Sequence, residues 1–545
     1  MHIHKVICHF CSMQDYFGLF GESVFDSVHY DSQNVIKTKY FSDGGICPRG
    51  NFCNELARHK QRVAYNLVDG NFAKTDFALD LLKKSLSSVD KSRTAILLSG
   101  SLTNEETLLA AKLGQKWGTK FVAQIFPEDD ISAKLRNDFS FADLPNMNVV
   151  LAIGDIFSLH PTISKPVHDA RFAGRRNFLS VIDNCRSRTS RFAWSFLRSK
   201  PGYVADVVES LAKALAGEEY SLENTGVDED TFEKLVSILQ NTENAAVIFS
   251  PGVGRFSEPL RVGFWAQKLA EIGKFKFSSF ATGSNARGIS RILNSYGFSP
   301  INEVLDAIDS GEVESLICLE CDPIEAFPKT YSKIKSMKFI AATATLPTAI
   351  VKNANVVLAS KHLFEKNGTL LSPMEKLITM DDPFPSPDYP GEMVLLKSLL
   401  EAEGIRPDAE IDEIKKHLAE FQFISEPPDV MKNQTGKLTA IGYHTPHHHG
   451  DGSYTRQAKW VIRQTKDKDN SVIIGPGLAE KIGVSNGDSV AVSTDAGKSE
   501  FDVIIEEDQF DDVVMIPAYM PNGRDVLGWC KSSGFVPIEA DISKL

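Results

Sequence analysis

The sequence predicts an α/β protein with mainly parallel sheets that ends in a separate, smaller β-barrel. Two observations support this prediction. A short apolar run, a turn containing Gly or Ser and an amphipathic helix recur in this order along residues 63–424, which is typical of parallel sheets covered by helices. After about Ile424 the chain becomes polar and rich in Pro and Gly, and short β-rich segments follow.

The first repeated unit reads AILLSGSLTNEETLLAAKL from Ala95, which predicts a buried strand, a tight loop and a helix. Thr103 is placed as an N-cap, and Glu106 three residues later completes a capping box. The same order recurs in NVVLAIGDIFSLHP, FLSVIDNCRSRTSRFA, AAVIFSPGVGRFSEPLRVGFWAQKLAEIG, SLICLECDPIEAF and KFIAATATLPTAIVKNANVVLAS. Ligands usually bind at the carboxyl ends of parallel strands, so the loops in these stretches are candidate ligand contacts.

The C-terminal segments SVIIGPGLAEKIGV, GDSVAVSTDAG, KSEFDVIIEED and DVVMIPAYM predict the barrel. The length of 545 residues exceeds what one hydrophobic core usually supports. We therefore predict a cysteine-containing module over 1–62, an α/β core over 63–424 and the barrel over 435–545.

Composition excludes several classes of function. A formal net charge of −12, without a basic run, argues against nucleic acid as the main partner. No apolar run approaches the ~18 residues that a membrane span requires, so we expect a cytoplasmic protein without a direct membrane span. P-loop, GxSxG and HExxH motifs are absent from the sequence.

Four of the eight cysteines lie within the first 53 residues, as Cys8-x2-Cys11 and Cys47-x5-Cys53. Four thiolates in paired spacing could bind zinc or hold a [4Fe–4S] cluster, because both take four soft ligands. Arg49 follows Cys47 by two residues and could connect a cluster to a second cofactor. The alternative is that the cysteines are small buried apolar residues.

The order Cys8-x2-Cys11, followed by CPRG at Cys47, resembles the N-terminal [4Fe–4S] module of the molybdopterin oxidoreductase superfamily. This superfamily includes formate dehydrogenases, the formylmethanofuran dehydrogenase B subunit and the large iron–sulfur subunit of complex I. The family pattern has a third cysteine where this chain has Asp15. We favour Cys53 as the fourth ligand because clusters are held mainly by thiolates, and Asp15 remains the alternative.

The resemblance extends through LLSGSLTNEETLLAAKL, VVLAIGDIFSLHP, FATGSNARGISRI, LICLECDPIEAFP, FEKNGTLLSPMEKL and the C-terminal block. It implies two interleaved α/β lobes and a C-terminal barrel of the double-psi type that binds molybdopterin dinucleotide. One departure concerns KFVAQIFPEDDISAKL, which lacks the cysteine that many active members supply to the metal. Asp129, Asp130 or Ser132 could take its place.

The resemblance also implies a set of cofactor contacts in the loops at strand ends. These are Ser99, Gly100, Asn104, Gly154, Asp155, His160, Asp183, Gly252, Gly254, Gly283 and Asn285. Glycines let backbone N–H groups approach phosphate, and aspartates at strand ends could accept ribose or pterin donors. Each glycine alone could instead be a simple turn, and His160 could be a satisfied loop histidine.

The implied function is that of an iron–sulfur subunit of a multi-protein redox complex. One [4Fe–4S] cluster would be held by Cys8, Cys11, Cys47 and Cys53, with Arg49 bridging to a molybdopterin guanine dinucleotide carrying molybdenum or tungsten. The expected partners are iron–sulfur or flavin subunits and, in a formate-dehydrogenase-like enzyme, a small substrate. A second hypothesis is a non-catalytic electron-transfer or assembly subunit without a pterin, and a third is a zinc-stabilised binding protein.

The remaining cysteines and histidines receive structural interpretations. Cys318 and Cys321 end an apolar run, which favours packing, and the isolated Cys185 and Cys530 are interpreted in the same way. The histidines of YHTPHHHGDG, at 444 and 447–449, are predicted to lie in a linker without a metal.

Overall fold

The computed structural model describes residues 3–20, 35–37, 47–51, 53–138, 141–431, 435–465 and 469–545, so the predicted module over 1–62 lies partly outside the described residues. The first elements are β1 (Ile3–Ile7), β2 (Tyr16–Phe20), β3 (Val35–Lys37), α1 (Pro48–Asn51), α2 (Cys53–Ala57), β4 (Asn66–Val68), β5 (Asn71–Ala73), α3 (Thr75–Ser87), β6 (Thr94–Leu98), α4 (Asn104–Trp117), β7 (Val122–Gln124) and α5 (Pro127–Ala133).

The chain continues with β8 (Val149–Ile153), α6 (Ile156–Leu159), α7 (Ser164–Ala173), β9 (Phe178–Asp183), β10 (Ser195–Arg198), α8 (Val204–Ala216), α9 (Glu229–Gln240), β11 (Ala245–Phe249), α10 (Pro259–Gly273), β12 (Lys276–Ser279), α11 (Ala286–Ser295), α12 (Ile301–Asp309), β13 (Ser315–Leu319), α13 (Pro323–Ala326), α14 (Tyr331–Lys335), β14 (Phe339–Ala344), α15 (Ala349–Asn353) and β15 (Val356–Ala359).

The last elements are β16 (Gly368–Leu371), β17 (Leu377–Met380), α16 (Gly391–Ala402), α17 (Ile411–Ala419), β18 (Thr439–Tyr443), α18 (Lys459–Thr465), β19 (Ser471–Ile474), α19 (Pro476–Ile482), β20 (Ser489–Thr494), β21 (Lys498–Ile505), β22 (Val513–Pro517), α20 (Pro521–Asp525), β23 (Gly528–Cys530), β24 (Gly534–Val536) and β25 (Ile538–Lys544).

Two sheets organise the α/β part of the described chain. Seven strands form one sheet in the order β5-β4-β15-β14-β13-β6-β7, and five form the other in the order β10-β9-β8-β11-β12. The pairs are parallel except where β4 joins β15 and β5 joins β4. The chain leaves the first sheet after β7, builds the second sheet and returns to the first at β13, so the two lobes are interleaved.

The strand order reverses between β6 and β13 in the larger sheet and between β8 and β11 in the smaller one. Loops diverge at such switch points and leave a crevice at the carboxyl ends of the strands. The central strands are apolar throughout because both faces are covered, which explains their continuous hydrophobic runs. The predicted capping box is present, since Thr103 Oγ1 accepts from Glu106 N and Glu106 Oε2 accepts from Thr103 N.

The C-terminal barrel is closed, in the order β18-β22-β19-β21-β20-β25 over the residues described. Its apolar interior is continuous with the core on one face of the larger sheet, where Leu97 and Leu316 share a cluster with Val472 and Val514. The predicted fold class, mixed α/β with parallel sheets and a C-terminal barrel, is therefore confirmed. The domain boundaries stay a prediction.

Cys318 and Cys321 are buried in the core shared by the larger sheet and the barrel, and the Cys321 thiol donates to Leu97 O at 3.3 Å. Cys185 is buried against the barrel, whereas Cys530 is partly exposed. Among the helices that the described ranges contain, none is both long and apolar enough to cross a bilayer.

Candidate functional site

The four N-terminal cysteines are buried and lie close to one another. Cys8 follows β1, and its N–H donates to Asp15 O at 2.9 Å, which closes the loop that carries Cys11. Burial raises the pKa of the Cys8 thiol, and nearby negative charge on Cys47, Cys53, Cys11 and Asp15 raises it further. The four thiols therefore form one electrostatic neighbourhood.

The chemistry of this donor set fits an iron–sulfur cluster. In the described ranges, however, no three His, Cys, Asp or Glu side chains already stand in a metal-binding arrangement. Asp15 is buried in the same neighbourhood, so the geometry leaves both Cys53 and Asp15 as candidates for the fourth ligand.

Arg49 connects this neighbourhood to the interior. Its side chain is buried, its Nη1 donates to His448 O at 3.0 Å and its Nη2 donates to Leu159 O at 2.6 Å. Burial raises the pKa of Cys11 to about 12, with Arg49 opposing this rise, so the guanidinium stands near that thiol. The bridging role of Arg49 stays a prediction. Its position between Cys11 and the loops that carry Leu159 and His448 suits this role.

The prediction that the histidine stretch lies in a linker is wrong. Thr439–Tyr443 is a barrel strand, so the residues after it enter the space between the barrel and the α/β lobes. His448 is fully buried, and its ring stacks on Tyr519 with 4.5 Å between centroids. His449 Nε2 donates to Thr282 O at 2.8 Å. Long-range partners, which a local pattern does not contain, satisfy these polar groups.

Three of the interior imidazoles are neutral because they are buried. Burial lowers the pKa values of His160, His444 and His449, that of His449 to about 3. The positive charge of Arg49 lowers all three further. His160 Nε2 also forms a hydrogen bond with Ser250 Oγ at 3.1 Å.

We call the following residues the cationic cluster: Arg49, Arg255, Arg524, His160, His444 and His449. Electrostatic coupling links His444 to all three arginines. Several of its buried nitrogens have no hydrogen-bond partner within the described structure, namely Arg49 Nε, Arg255 Nη1, Arg524 Nη2, His160 Nδ1 and His444 Nε2. Unpartnered buried donors are costly, so this concentration marks a place suited to an anionic, polar ligand.

The predicted contacts at the smaller sheet surround this cluster. Asp183 pairs with Arg255 through Oδ1 at 2.9 Å and through a second contact at Oδ2, while Asp155 Oδ1 accepts from the N–H and hydroxyl of Thr189. Gly254 O accepts from Gly442 N at 2.8 Å, which attaches this loop to the barrel. The three glycines among these predicted contacts, Gly154, Gly252 and Gly254, have positive φ angles, which favour glycine.

The predicted contacts at the larger sheet have another role. Gly100 and Gly283 meet backbone to backbone, and a Cβ on Gly283 would lie 2.5 Å from Gly100 Cα. Asn285 Nδ2 donates to Leu102 O at 2.8 Å and to Asn104 Oδ1 at 3.0 Å. These residues tie the two lobes together.

The candidates for a substitute metal ligand are engaged inside the protein. Asp129 Oδ1 accepts from Thr282 N at 2.6 Å, and Ser132 Oγ donates to Phe280 O at 2.6 Å. Asp130 Oδ1 accepts from Gln124 Nε2 at 2.7 Å. Each group already holds a neighbouring loop or strand.

A pocket at the larger switch point was not predicted in full from the sequence. Its cavity volume is about 70 Å³, and its lining contains Ser99, Glu320, Lys366 and Tyr454. Glu320 has a φ of 52°, its carboxylate accepts from Tyr454 Oη, and its Oε1 has no partner among the described residues. Burial raises the pKa of Glu320 to about 8.

Lys366 is held within this pocket by Glu106 at 3.0 Å and Glu392 at 2.7 Å. The sequence signal for the pocket was the polar segment that directly follows the apolar strand β13, at a switch point. That signal predicts a ligand crevice but not the ion pairs that form it.

Comparisons with known proteins support the molybdopterin oxidoreductase fold. Residues 438–533 match the family model of the molydopterin dinucleotide binding domain. The F420-dependent formate dehydrogenase 2 subunit alpha of Methanococcus maripaludis is 24% identical over 40% of this chain and 38% of that protein. The F420-dependent formate dehydrogenase subunit alpha of Methanocaldococcus jannaschii is 20% identical over 94% of both chains.

Among solved structures, acetylene hydratase from Pelobacter acetylenicus superimposes with a TM-score of 0.77 over 99% of this chain and 100% of that chain, at 14% identity. At this identity the likeness concerns the fold alone.

Proposed function

Because this chain belongs to the molybdopterin oxidoreductase superfamily, we propose that it is a formate-dehydrogenase-like iron–sulfur oxidoreductase subunit of a multi-protein redox complex. It would hold one [4Fe–4S] cluster and a molybdopterin dinucleotide. When bound, the pterin and its metal supply the redox chemistry, and the protein positions them and tunes their surroundings.

The observation that carries this proposal is the cationic cluster. Its arginines and neutral imidazoles present unpartnered donors between the smaller sheet, the barrel and the cysteine neighbourhood. Guanidinium groups bind phosphate oxygens through paired N–H donors, and neutral imidazoles donate one hydrogen bond without adding charge. The cluster therefore suits the pyrophosphate and pterin of a dinucleotide.

In this proposal Cys8, Cys11 and Cys47 hold the cluster with Cys53, and Arg49 lies between cluster and pterin. Arg49 retains a free Nε after its bonds to His448 O and Leu159 O, so one donor stays available on a side chain already fixed in place. Fixed donors lose little conformational entropy when a ligand arrives.

The second candidate function is a non-catalytic electron-transfer or assembly subunit of the same fold. The engagement of Asp129, Asp130 and Ser132 in internal hydrogen bonds favours it, because these are the three side chains considered as substitutes for the metal ligand of many active members. The cationic cluster favours the first candidate.

Metal and pterin analysis of anaerobically purified protein separates these candidates. About four irons with molybdenum or tungsten, a fluorescent oxidised pterin and formate-dependent dye reduction would support the catalytic proposal. Iron alone, from a host that makes the pterin, would support the scaffold. Zinc alone would refute both.

The fourth ligand is tested in the same preparation. Cys53→Ser should lose most of the iron if Cys53 is the ligand, whereas Asp15→Asn should retain it. Cys530→Ser is the matched control, since Cys530 is partly exposed and lies near Met431 rather than the cysteine neighbourhood. Iron loss in Asp15→Asn alone would assign the ligand to Asp15.

A further inference from the structure

Helix α7 and the loop before β10 expose a group of aromatic side chains. Phe172, Phe192 and Trp194 are 74%, 44% and 52% exposed. The His168 ring joins two of them, at 6.2 Å from Phe172 and 5.0 Å from Phe192, and Trp194 packs 4.5 Å from Phe178. Grouped apolar side chains on a surface mark interaction sites far more often than isolated ones do.

Arginines lie on α7 and directly after it, and the Arg171 guanidinium stands 5.2 Å from the centroid of the Phe172 ring. Arg171, Arg175 and Arg176 belong to α7 or follow it, and the last two are exposed and form no ion pair within the described residues. We call Phe172, Phe192, Trp194, Arg171, Arg175 and Arg176 the aromatic–arginine patch. On a chain with a net charge of −12, a local excess of free cations selects an acidic partner.

The patch is connected to the cysteine neighbourhood through packed residues. Arg49 donates to Leu159 O at the end of α6, and Phe157 in α6 lies 5.4 Å from His168 and 6.4 Å from Phe192, measured between ring centroids. Cys11 belongs to the same buried apolar cluster as Phe157 and Ala170, the latter on α7. A protein docked on the patch would thus contact the apolar cluster that also contains Cys11.

We infer that the aromatic–arginine patch docks an acidic iron–sulfur protein, which acts as the electron-transfer partner in the proposed function. This inference rests on the proposed function. Electron transfer weakens steeply with distance, so such a partner must bind close to the cysteines. The partner gives or takes one electron at a time, and docking changes no bond and moves no proton. Redox encounter interfaces are small, and a few aromatic and arginine residues suffice for them.

The test uses the full chain and an acidic bacterial ferredoxin with two [4Fe–4S] clusters as the probe. The ferredoxin is immobilised and association is followed at about 20 mM and about 200 mM NaCl. Arg175→Glu/Arg176→Glu should lower the association rate constant at least about tenfold at low salt and flatten its salt dependence. Trp194→Ala should mainly speed dissociation.

Lys415→Glu/Lys416→Glu is the matched control, because it makes the same charge change on exposed side chains of α17, which packs on the outer face of the larger sheet. It should alter the rate constant by less than about threefold. Absence of ferredoxin binding, or equal losses in the patch and control variants, would overturn the inference.

Failure of the docking inference and failure of the proposed function give different results. If the chain contains iron but binds ferredoxin independently of the patch, the proposed function stands and the docking inference fails. If the chain binds ferredoxin through the patch but contains no iron, the docking inference stands and the proposed function fails.

Discussion

Replacing Gly283 with alanine tests whether the Gly100–Gly283 contact is structural. The new Cβ would lie 2.5 Å from Gly100 Cα and 2.6 Å from Gly100 O. Non-bonded heavy atoms such as carbons prefer about 3.5–4.0 Å, so the two loops must separate by roughly 1 Å. Gly283 does not have a positive φ, and the cost therefore comes from the contact rather than from backbone strain.

Overpacking of this kind costs about 1–3 kcal/mol. For an unfolding unit of about 360 residues, the α/β core, an unfolding entropy of ~2.1 cal/mol/K per residue makes each kcal/mol worth about 1.3 °C in Tm, so Gly283→Ala should melt about 1–4 °C below the wild type. The assay is differential scanning calorimetry of protein prepared without molybdenum, tungsten or pterin, combined with a pterin assay of the loaded form. Gly174→Ala is the control, because Gly174 is exposed with extended backbone and only the Asn177 side chain nearby.

The result that refutes this reasoning is specific. If cofactor-free Gly283→Ala melts with the wild type but the loaded variant holds less pterin, Gly283 is a cofactor contact, as the sequence resemblance implied. If the Tm falls in the cofactor-free protein, the glycine is required for the contact between lobes whatever the ligand.

Three further predictions concern buried charges. Burial raises the pKa of Glu320 to about 8, so the stability contributed by its protonated form is fully present below about pH 4.5 and is lost as the pH rises toward 8. Glu320→Gln lacks this titration and should gain stability relative to the wild type over that range. Urea unfolding should show a gain of at most about 1.4 kcal/mol per pH unit. Lys366→Met should lower the free energy of unfolding by about 3–5 kcal/mol, because it leaves the buried carboxylates of Glu106 and Glu392 without their cation. Unchanged stability would contradict the ion-pair assignment. Arg49→Met should raise the pKa of His449 from about 3 toward its ordinary value, as followed by NMR of labelled histidine, and an unchanged titration would contradict their coupling.

Strands and caps could be predicted because their determinants are local. The apolar runs at β6 and β13 are flanked by turn residues, and the Thr103–Glu106 capping box lies within four positions. The cysteine spacing likewise pointed to one shared neighbourhood, although β3 and residues outside the described ranges separate its two halves. Patterns of this range are fixed by the backbone geometry of one element.

The interior of the site could not be predicted because its partners are distant in sequence. The histidine stretch is polar and contains Gly and Pro, which locally indicates a linker. His448 is nevertheless buried: its ring stacks on Tyr519, and its carbonyl accepts from Arg49, 399 positions away. The local sequence around Gly100 and around Gly283 indicates a turn at each position, and only the interleaving of the lobes brings the two glycines together. Tertiary contact therefore overrides the local signal at these positions.

Charge balance in the interior gives the strongest reason to expect a ligand. Arg255 is paired with Asp183. Burial lowers the pKa of Arg524 and nearby Asp451 and Glu128 partly oppose this, whereas Arg49 forms no ion pair within the described part of the chain. An unpaired buried charge costs several kcal/mol. One group near Arg49 is the Cys11 thiol, whose pKa burial raises to about 12. Such thiols carry negative charge when they bind metal, so the proposed iron–sulfur cluster or an anionic cofactor would balance the charge of Arg49.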